Sequence, residues 1–293
     1  MSPLLAVPNV SEGRRGEVIA AIAAAATAPP GMPAGRVRLL AVHSDPDHNR
    51  TVLSLTGAPA DLAAALVSIA ATALDSIDVS GHEGVHPRVG ALDVAPLVFT
   101  TPGDRGAACA AALLAADRLG EELGLPVFLY GLLTGNRRTR AELRRGGPER
   151  LAARIAGGEL VPDFGPRRLH PTGGAVLVAA RPPLVAFNVE LAPPATLQDA
   201  QRIAALIRES GAGGLPGVRA LGLHLAGRDV AQVSTNIEDL EACSPAAVIA
   251  AVARYATPAA AELVGLAPAA ALAGLPADVP VANLRTIEDA LSD

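Results

Sequence analysis

One order of secondary structure is written twice along these 293 residues, and that repetition limits the fold more than any single motif. The apolar run "LLAVPNV" (4–10) reads as a strand, and "GEVIAAIAAAAT" (16–27) reads as an Ala-rich helix closed by Pro29-Pro30. "RVRLLAVHS" (36–44) and "RTVLSLTG" (50–57) are β-type runs separated by the polar turn "DPDH" (45–48). "PADLAAALVSIAATALDSID" (59–78) predicts a long helix, with Pro59 and Asp61 marking its start and Leu62, Leu66, Ile69 and Ala73 on one face. "ALDVAPLVFT" (91–100) is a buried strand. The order is β-α-β-β-α-β, the ferredoxin-like arrangement, and a further helix (107–123) and strand (126–131) follow it.

The order then recurs. "PLVAFNVEL" (183–191) is a strand, "TLQDAQRIAALIRE" (196–209) a helix, and "GVRALGLHL" (217–225) with "DVAQVSTN" (229–236) a hairpin around Gly227. "SPAAVIAAVARYA" (244–256) is a helix capped by Ser244 with Pro245 at its first position, and "AELVGL" (261–266) is a closing strand. The seam falls near Arg181-Pro182-Pro183, which sets two expected subdomains, 1–180 and 181–293. With helices on one face of each mixed sheet, the class is α+β. "GAGGLPG" (211–217) follows a helix rather than a strand, so it reads as a flexible loop and not a phosphate cradle.

Composition removes several function classes. All 24 basic residues are Arg, and the lack of lysine excludes both a Walker-type phosphate site and Schiff-base chemistry. Net charge −5 without a long basic run argues against nucleic acid as a partner. The densest basic stretch, "RRTRAELRR" (137–145), has no interleaved aromatics; it reads as the solvated face of a helix, with an anion site as the alternative. Cys109 and Cys243 form no C-x-x-C pattern, which suits a reducing cytoplasm. "MSPLLAVPNV" carries no basic leader region, and the apolar stretch 18–28 is too short to cross a bilayer, so a cytoplasmic protein without a membrane partner is expected.

"GHEGVHPRVGALD" (81–93) matches the zinc-protease pattern H-E-x-x-H at His82 and His86. That pattern needs a helix to bring both histidines to one face. Here Gly84 sits in the middle and Pro87 follows His86, which disfavours the α conformation at the second histidine. No metal is expected. What remains is a glycine-studded loop carrying two histidines, Arg88 and Asp93, between a helix and a strand. A histidine there can serve as a general base and an arginine can fork onto a carboxylate.

Six stretches in order carry a resemblance: "AVPNVSEGRR" (6–15), "HSDPDHNRTV" (43–52), "HEGVHPRVGALDVAP" (82–96), "LGEELGLPVFLYG" (119–131), "VPDFGP" (161–166) and "AQVSTNIED" (231–239). Together, over roughly residues 4–268, the chain strongly resembles the formiminotransferase family. That family comprises stand-alone glutamate formimidoyltransferases and the N-terminal half of a bifunctional chain that adds a cyclodeaminase. The resemblance implies two ferredoxin-like (βαββαβ) subdomains with a groove between their sheets, and a homodimer. It implies a one-carbon transferase that moves a formimino group from N-formimino-L-glutamate to N5 of tetrahydrofolate, in histidine degradation. His86, in the G-x-H-P-R motif, takes the place of the catalytic base, with His82 in support. The folate-binding stretch maps onto Gly165, Pro166, Arg167, Arg168, Leu169, His170, Pro171, Thr172, Gly173 and Gly174, where the two arginines would meet folate carboxylates. Asn9, Glu12, Arg50, His82, Arg88 and Asp93 are the candidates for lining the substrate groove, and Ser11 reads as loop chemistry. The sequence ends about 25 residues after "ELVGLAP", so cyclodeaminase activity is expected from a separate chain.

Three positions depart from the family pattern. Val85 stands where the family commonly has Glu before the catalytic histidine, Ala260-Ala261 replaces a usual Gly-Ser, and Ala41 replaces an aspartate. They leave two alternatives open: a folate-binding homologue without the activity, and a relative that uses another one-carbon donor such as a formyl group.

Overall fold

The computed structural model describes residues 4–293; Met1–Pro3, the start of the expected first subdomain, lie outside the described residues. The chain divides into two compact units, Met1–Pro182 and Pro183–Asp293, each with its own sheet.

In the first unit the elements are β1 (Leu4–Ala6), β2 (Asn9–Val10), α1 (Gly16–Thr27), β3 (Val37–Asp45), β4 (Arg50–Gly57), α2 (Pro59–Ser76), β5 (Leu92–Val98), α3 (Arg105–Leu123), β6 (Val127–Leu129), α4 (Arg140–Arg144), α5 (Gly147–Ala156) and β7 (Val176–Arg181). The single strand expected over 4–10 is broken in two at Val7-Pro8, because Pro8 has no N–H for the ladder. Both pieces still lie between β4 and β5, antiparallel to each, and β3 pairs antiparallel with β4 on the outside. Beyond β5 the sheet gains β7 and then β6, both parallel.

This extension changes the layering. Val176, Val178 and Ala180 of β7 join Val127 and Leu129 of β6 in the core beneath α1, α2 and α3. The alternate residues Leu177, Ala179 and Phe128 point the other way, onto Leu143 of α4 and Leu151 and Ile155 of α5. Helices on one face only, as expected, is therefore wrong for this end of the sheet. A strand buried on both faces reads as a continuous apolar run without alternation, which is why "VLVAAR" carried no strand signal by period. α2 is long and apolar enough to cross a membrane by length and composition, but Leu62, Leu66, Ile69 and Ala73 are fully buried in the core of this unit.

The second unit contains β8 (Val185–Leu191), α6 (Leu197–Ile207), β9 (Val218–Leu225), β10 (Val230–Ile237), α7 (Pro245–Ala253), β11 (Pro258–Val264), β12 (Val281–Ala282) and α8 (Ile287–Ser292). The strand order is β12-β11-β8-β10-β9, antiparallel except for β11 with β12. Phe187, Val189, Val233 and Leu263 meet Ile203, Ile207, Val248 and Val252 in its core. The caps follow the sequence: the Ser244 hydroxyl accepts from the Ala247 N–H at 3.2 Å, and Thr196 and Asp199 form a capping box at α6. The segment 211–217 is not the flexible loop expected. Gly213 and Leu215 donate to the Leu206 and Ile207 carbonyls at 3.1 and 2.9 Å, wrapping the end of α6, and a Cβ at Gly211 would lie 2.3 Å from two carbonyl oxygens.

Candidate active site

The loop 81–91 leaves α2 and enters β5, and backbone contacts hold it from both sides. On one side lies the β3–β4 turn. Val85 N–H donates to the Asp47 carbonyl at 3.2 Å, and Gly84 sits so close that a Cβ would meet the His48 oxygen at 2.6 Å. Asn49 fastens this side: it adopts φ 48°, its Oδ1 accepts from Gly13 N–H at 2.9 Å, and its Nδ2 donates to the Glu83 carbonyl at 2.8 Å. On the other side lies the segment 172–175. Val79 N–H donates to Thr172 O, Ala91 N–H to Gly173 O and Ala175 N–H to Val89 O, all at 2.8–2.9 Å. A Cβ on Gly90 would stand 1.9 Å from the Ala175 oxygen, so only glycine permits this approach.

The loop is not helical from His82 to His86, so the two histidines have separate surroundings. His82 Nε2 lies 3.0 Å from the Asn49 carbonyl, and burial followed by the Arg88 cation lowers its pKa below the usual histidine value. The His86 ring lies 6.1 Å from that of His48, which is almost wholly buried. Burial is the main cause that holds His86 well below the ordinary 6.5, reinforced by the Arg50 and Arg144 cations, His48 and Arg140. That shift favours the uncharged imidazole, the form that can accept a proton.

His86 opens onto a cavity of about 250 Å³ lined by Gly84, Val85, Pro87 and Arg88 from the loop and by Arg144, Gly147 and Pro148 from the α4–α5 corner. Asp93 is buried at the base: its Oδ1 accepts from Val89 N–H at 2.7 Å and its Oδ2 pairs with Arg144 Nη2. Arg88 Nη2 donates to the His82 carbonyl. The Nε atoms of Arg88 and Arg144 are both buried without an acceptor. A site with two guanidiniums and one neutral histidine can draw in a carboxylate and move a proton beside it.

The other expected site residues are placed as follows. Glu12 is committed to the start of α1: its Oε1 accepts from the Arg14 and Arg15 N–H groups at 2.8 and 2.9 Å, and its Oε2 meets Arg15 Nε at 2.5 Å. Burial alone would raise its pKa, but the Arg15 and Arg14 hydrogen bonds and the Arg15 charge bring the net value down. Asn9 Nδ2 bonds its own strand at Val7 O, 3.3 Å, and the Ser11 hydroxyl donates to Gly90 O at 2.8 Å, which supports the loop from below. In the stretch 165–174, Arg167 and Arg168 are exposed, Pro166 and Leu169 are half-buried, and Pro171 and Thr172 lie in the turn that Gly173 completes. His170 Nδ1 accepts from Gly173 N–H at 2.9 Å, a turn contact. Gly165, at φ 75°, packs within 2.1 Å (Cβ position) of the Leu125 carbonyl, and Gly174, at φ 68°, within 2.2 Å of the Val89 carbonyl. These glycines serve backbone packing.

Sequence reasoning left out His48, Asn49, Arg140 and Arg144. Arg144 lay in the basic stretch read as a solvated face, with an anion site as the alternative, and its side chain is only 14% exposed. The signal was present in Thr139-x-x-Glu142: a capping box fixes the start of α4 and with it the direction of Arg144.

Two sheets, each flanked by helices, and a clamped histidine–arginine loop beside a cavity together define a two-unit α+β protein. Residues 4–181 match the model of the N-terminal subdomain of the formiminotransferase domain, and residues 186–277 match the formiminotransferase domain itself. A glutamate formimidoyltransferase from Streptococcus pyogenes serotype M1 is 37% identical over 91% of this chain and 89% of its own length. A second from Thermoplasma acidophilum is 32% identical over 93% and 90%. The formimidoyltransferase-cyclodeaminase of Sus scrofa is 42% identical over 80% of this chain, which spans only 43% of that protein. Among solved structures, pitrilysin aligns at a TM-score of 0.19 and 10% identity, too low to bear on the fold. The chain belongs to the formiminotransferase domain family.

Proposed function

We propose that this protein transfers the formimino group from N-formimino-L-glutamate to N5 of tetrahydrofolate. The observation that carries this reading is that His86, Arg88 and Arg144 line one cavity. The acceptor nitrogen must lose its proton as it bonds to the electrophilic formimino carbon. His86 takes that proton and returns it to the glutamate nitrogen as the carbon–nitrogen bond to glutamate breaks. His82, bonded to Asn49 O, positions the loop. Tetrahydrofolate is the co-substrate in this reading. The exposed Arg167 and Arg168 suit its carboxylates, and the closely packed glycines Gly165, Gly173 and Gly174 offer backbone to the pterin. We read each unit as a ferredoxin-like βαββαβ fold, which the orders β5-β1/β2-β4-β3 and β11-β8-β10-β9 support. The same reading makes the protein a cytoplasmic homodimer.

A second reading rests on Val85, which gives the cavity an apolar wall where the family commonly has a carboxylate: a folate-binding homologue that lacks the activity, or one that takes a formyl donor. Steady-state assay with formiminoglutamate and tetrahydrofolate decides between them. His86→Ala should lower kcat by about 10³-fold and leave folate binding intact, while His82→Ala costs far less. Tight folate binding without turnover by the wild type would replace the transferase with the binding protein, and turnover only with formylglutamate would reassign the donor.

A further inference from the structure

The cavity wall opposite the histidine loop belongs to none of the motifs that mark the family in the sequence, and its chemistry is specific. Arg144 ends α4 and turns inward; one of its nitrogens is held by Asp93, and its Nε is buried with no acceptor. Gly147 and Pro148, which line the same wall, are the first two residues of the ten-residue helix α5. The start of α5 carries partial positive charge, which favours an anion in the cavity that Arg144 also lines. The one acid in the first turn of α5, Glu149, is exposed and does not line the cavity. The cavity, about 250 Å³ and open to solvent, has room for an amino-acid-sized donor.

We propose that Arg144, backed by the start of α5, binds the side-chain carboxylate of the donor and makes the enzyme selective for a glutamate-derived donor over an uncharged one. This inference rests on the transferase reading. Arg88 shares the loop of His86, beside the reacting nitrogen and its neighbouring α-carboxylate. Arg144 stands on a separate element across the cavity, where the longer arm of glutamate ends. Asp93 holds the guanidinium through Nη2, which fixes the side chain in the cavity wall. Arg144 is thus a specificity residue, and its loss should weaken donor binding without weakening folate binding.

The test compares formiminoglutamate with its γ-amide, formiminoglutamine, in wild type, Arg144→Lys and Arg144→Gln. The wild type should favour the acid by about a hundredfold in kcat/KM, the ratio expected when a bidentate charge-assisted pair of some 2–3 kcal/mol is lost. Arg144→Gln should raise KM for formiminoglutamate at least tenfold, leave KM for tetrahydrofolate unchanged, and remove the preference. Arg144→Lys keeps a cation against Asp93 and preserves the fold, and should retain only part of the preference. Equal discrimination in all three proteins overturns the proposal. If the wild type turns over neither donor, the transferase reading fails by itself. Calorimetric titration with formiminoglutamate then decides the anion site separately: an equal Kd for wild type and Arg144→Lys overturns it, and weaker binding to the variant upholds it.

Discussion

His86 reaches its neutral state through its surroundings, and the sign of the resulting pH effect can be worked out. Its folded pKa lies well below 6.5, chiefly because of burial, whereas the unfolded chain titrates near that value. The stabilisation is therefore complete above about pH 6.5 and is lost as pH falls through the folded pKa, because the unfolded state takes up a proton that the folded state refuses. His82, lowered in the same direction, adds to this. The acid limb of kcat/KM should fall below pH 6.5, and His86→Gln should flatten the loss of stability on acidification. Imidazole titration followed by NMR checks both; a His86 that titrates at or above 6.5 would contradict the assignment. His86 was singled out through the resemblance, by the G-x-H-P-R motif, while Gly84 and Pro87 spoke only against the zinc pattern. His48 was not, since only the folded chain shows which turn residue meets the loop from 33 residues away or more.

Among the elements, the loop from α2 to β5 owes its shape to β7 and the turn before it. Gly90 is the point of tightest approach: a methyl group there would overlap the Ala175 carbonyl. Gly90→Ala should destabilise the protein by about 3 kcal/mol or displace the loop, and urea unfolding with an activity assay separates the two results. A variant with wild-type stability and activity would show that the backbone contact is unimportant. Most helices and the β3–β4 and β9–β10 hairpins could be read directly, since Pro59, Ser244 and the alternating strands announce themselves. β7 and α5 could not, and α4 was read as a helix only with its arginines turned to solvent. The first is apolar on both faces, and the others are short helices whose arginines concealed the inward turn of Arg144 and the packing of Leu143, Leu151 and Ile155.

Across the whole molecule, two separate cores imply two separately vulnerable units. Phe187 is fully buried in the second, and Phe187→Ala should cost about 3–5 kcal/mol. Hydrogen exchange should show the loss of protection concentrated in 183–293; uniform loss over both units would mean that they melt as one.

The clamp on the histidine loop also orders events during synthesis. Residues 79–91 leave the ribosome long before 172–175, whose carbonyls and amide hold Val79, Ala91 and Val89 in place. At roughly 5–20 residues per second, the loop waits on the order of ten seconds for its second wall. A nascent chain truncated before β7 can already carry β1 to β5 and the helices between them, yet its histidine loop is held from the β3–β4 side alone. Chemical competence is thus among the last properties of the first unit to form, so an incomplete chain released early would be partly folded but inert.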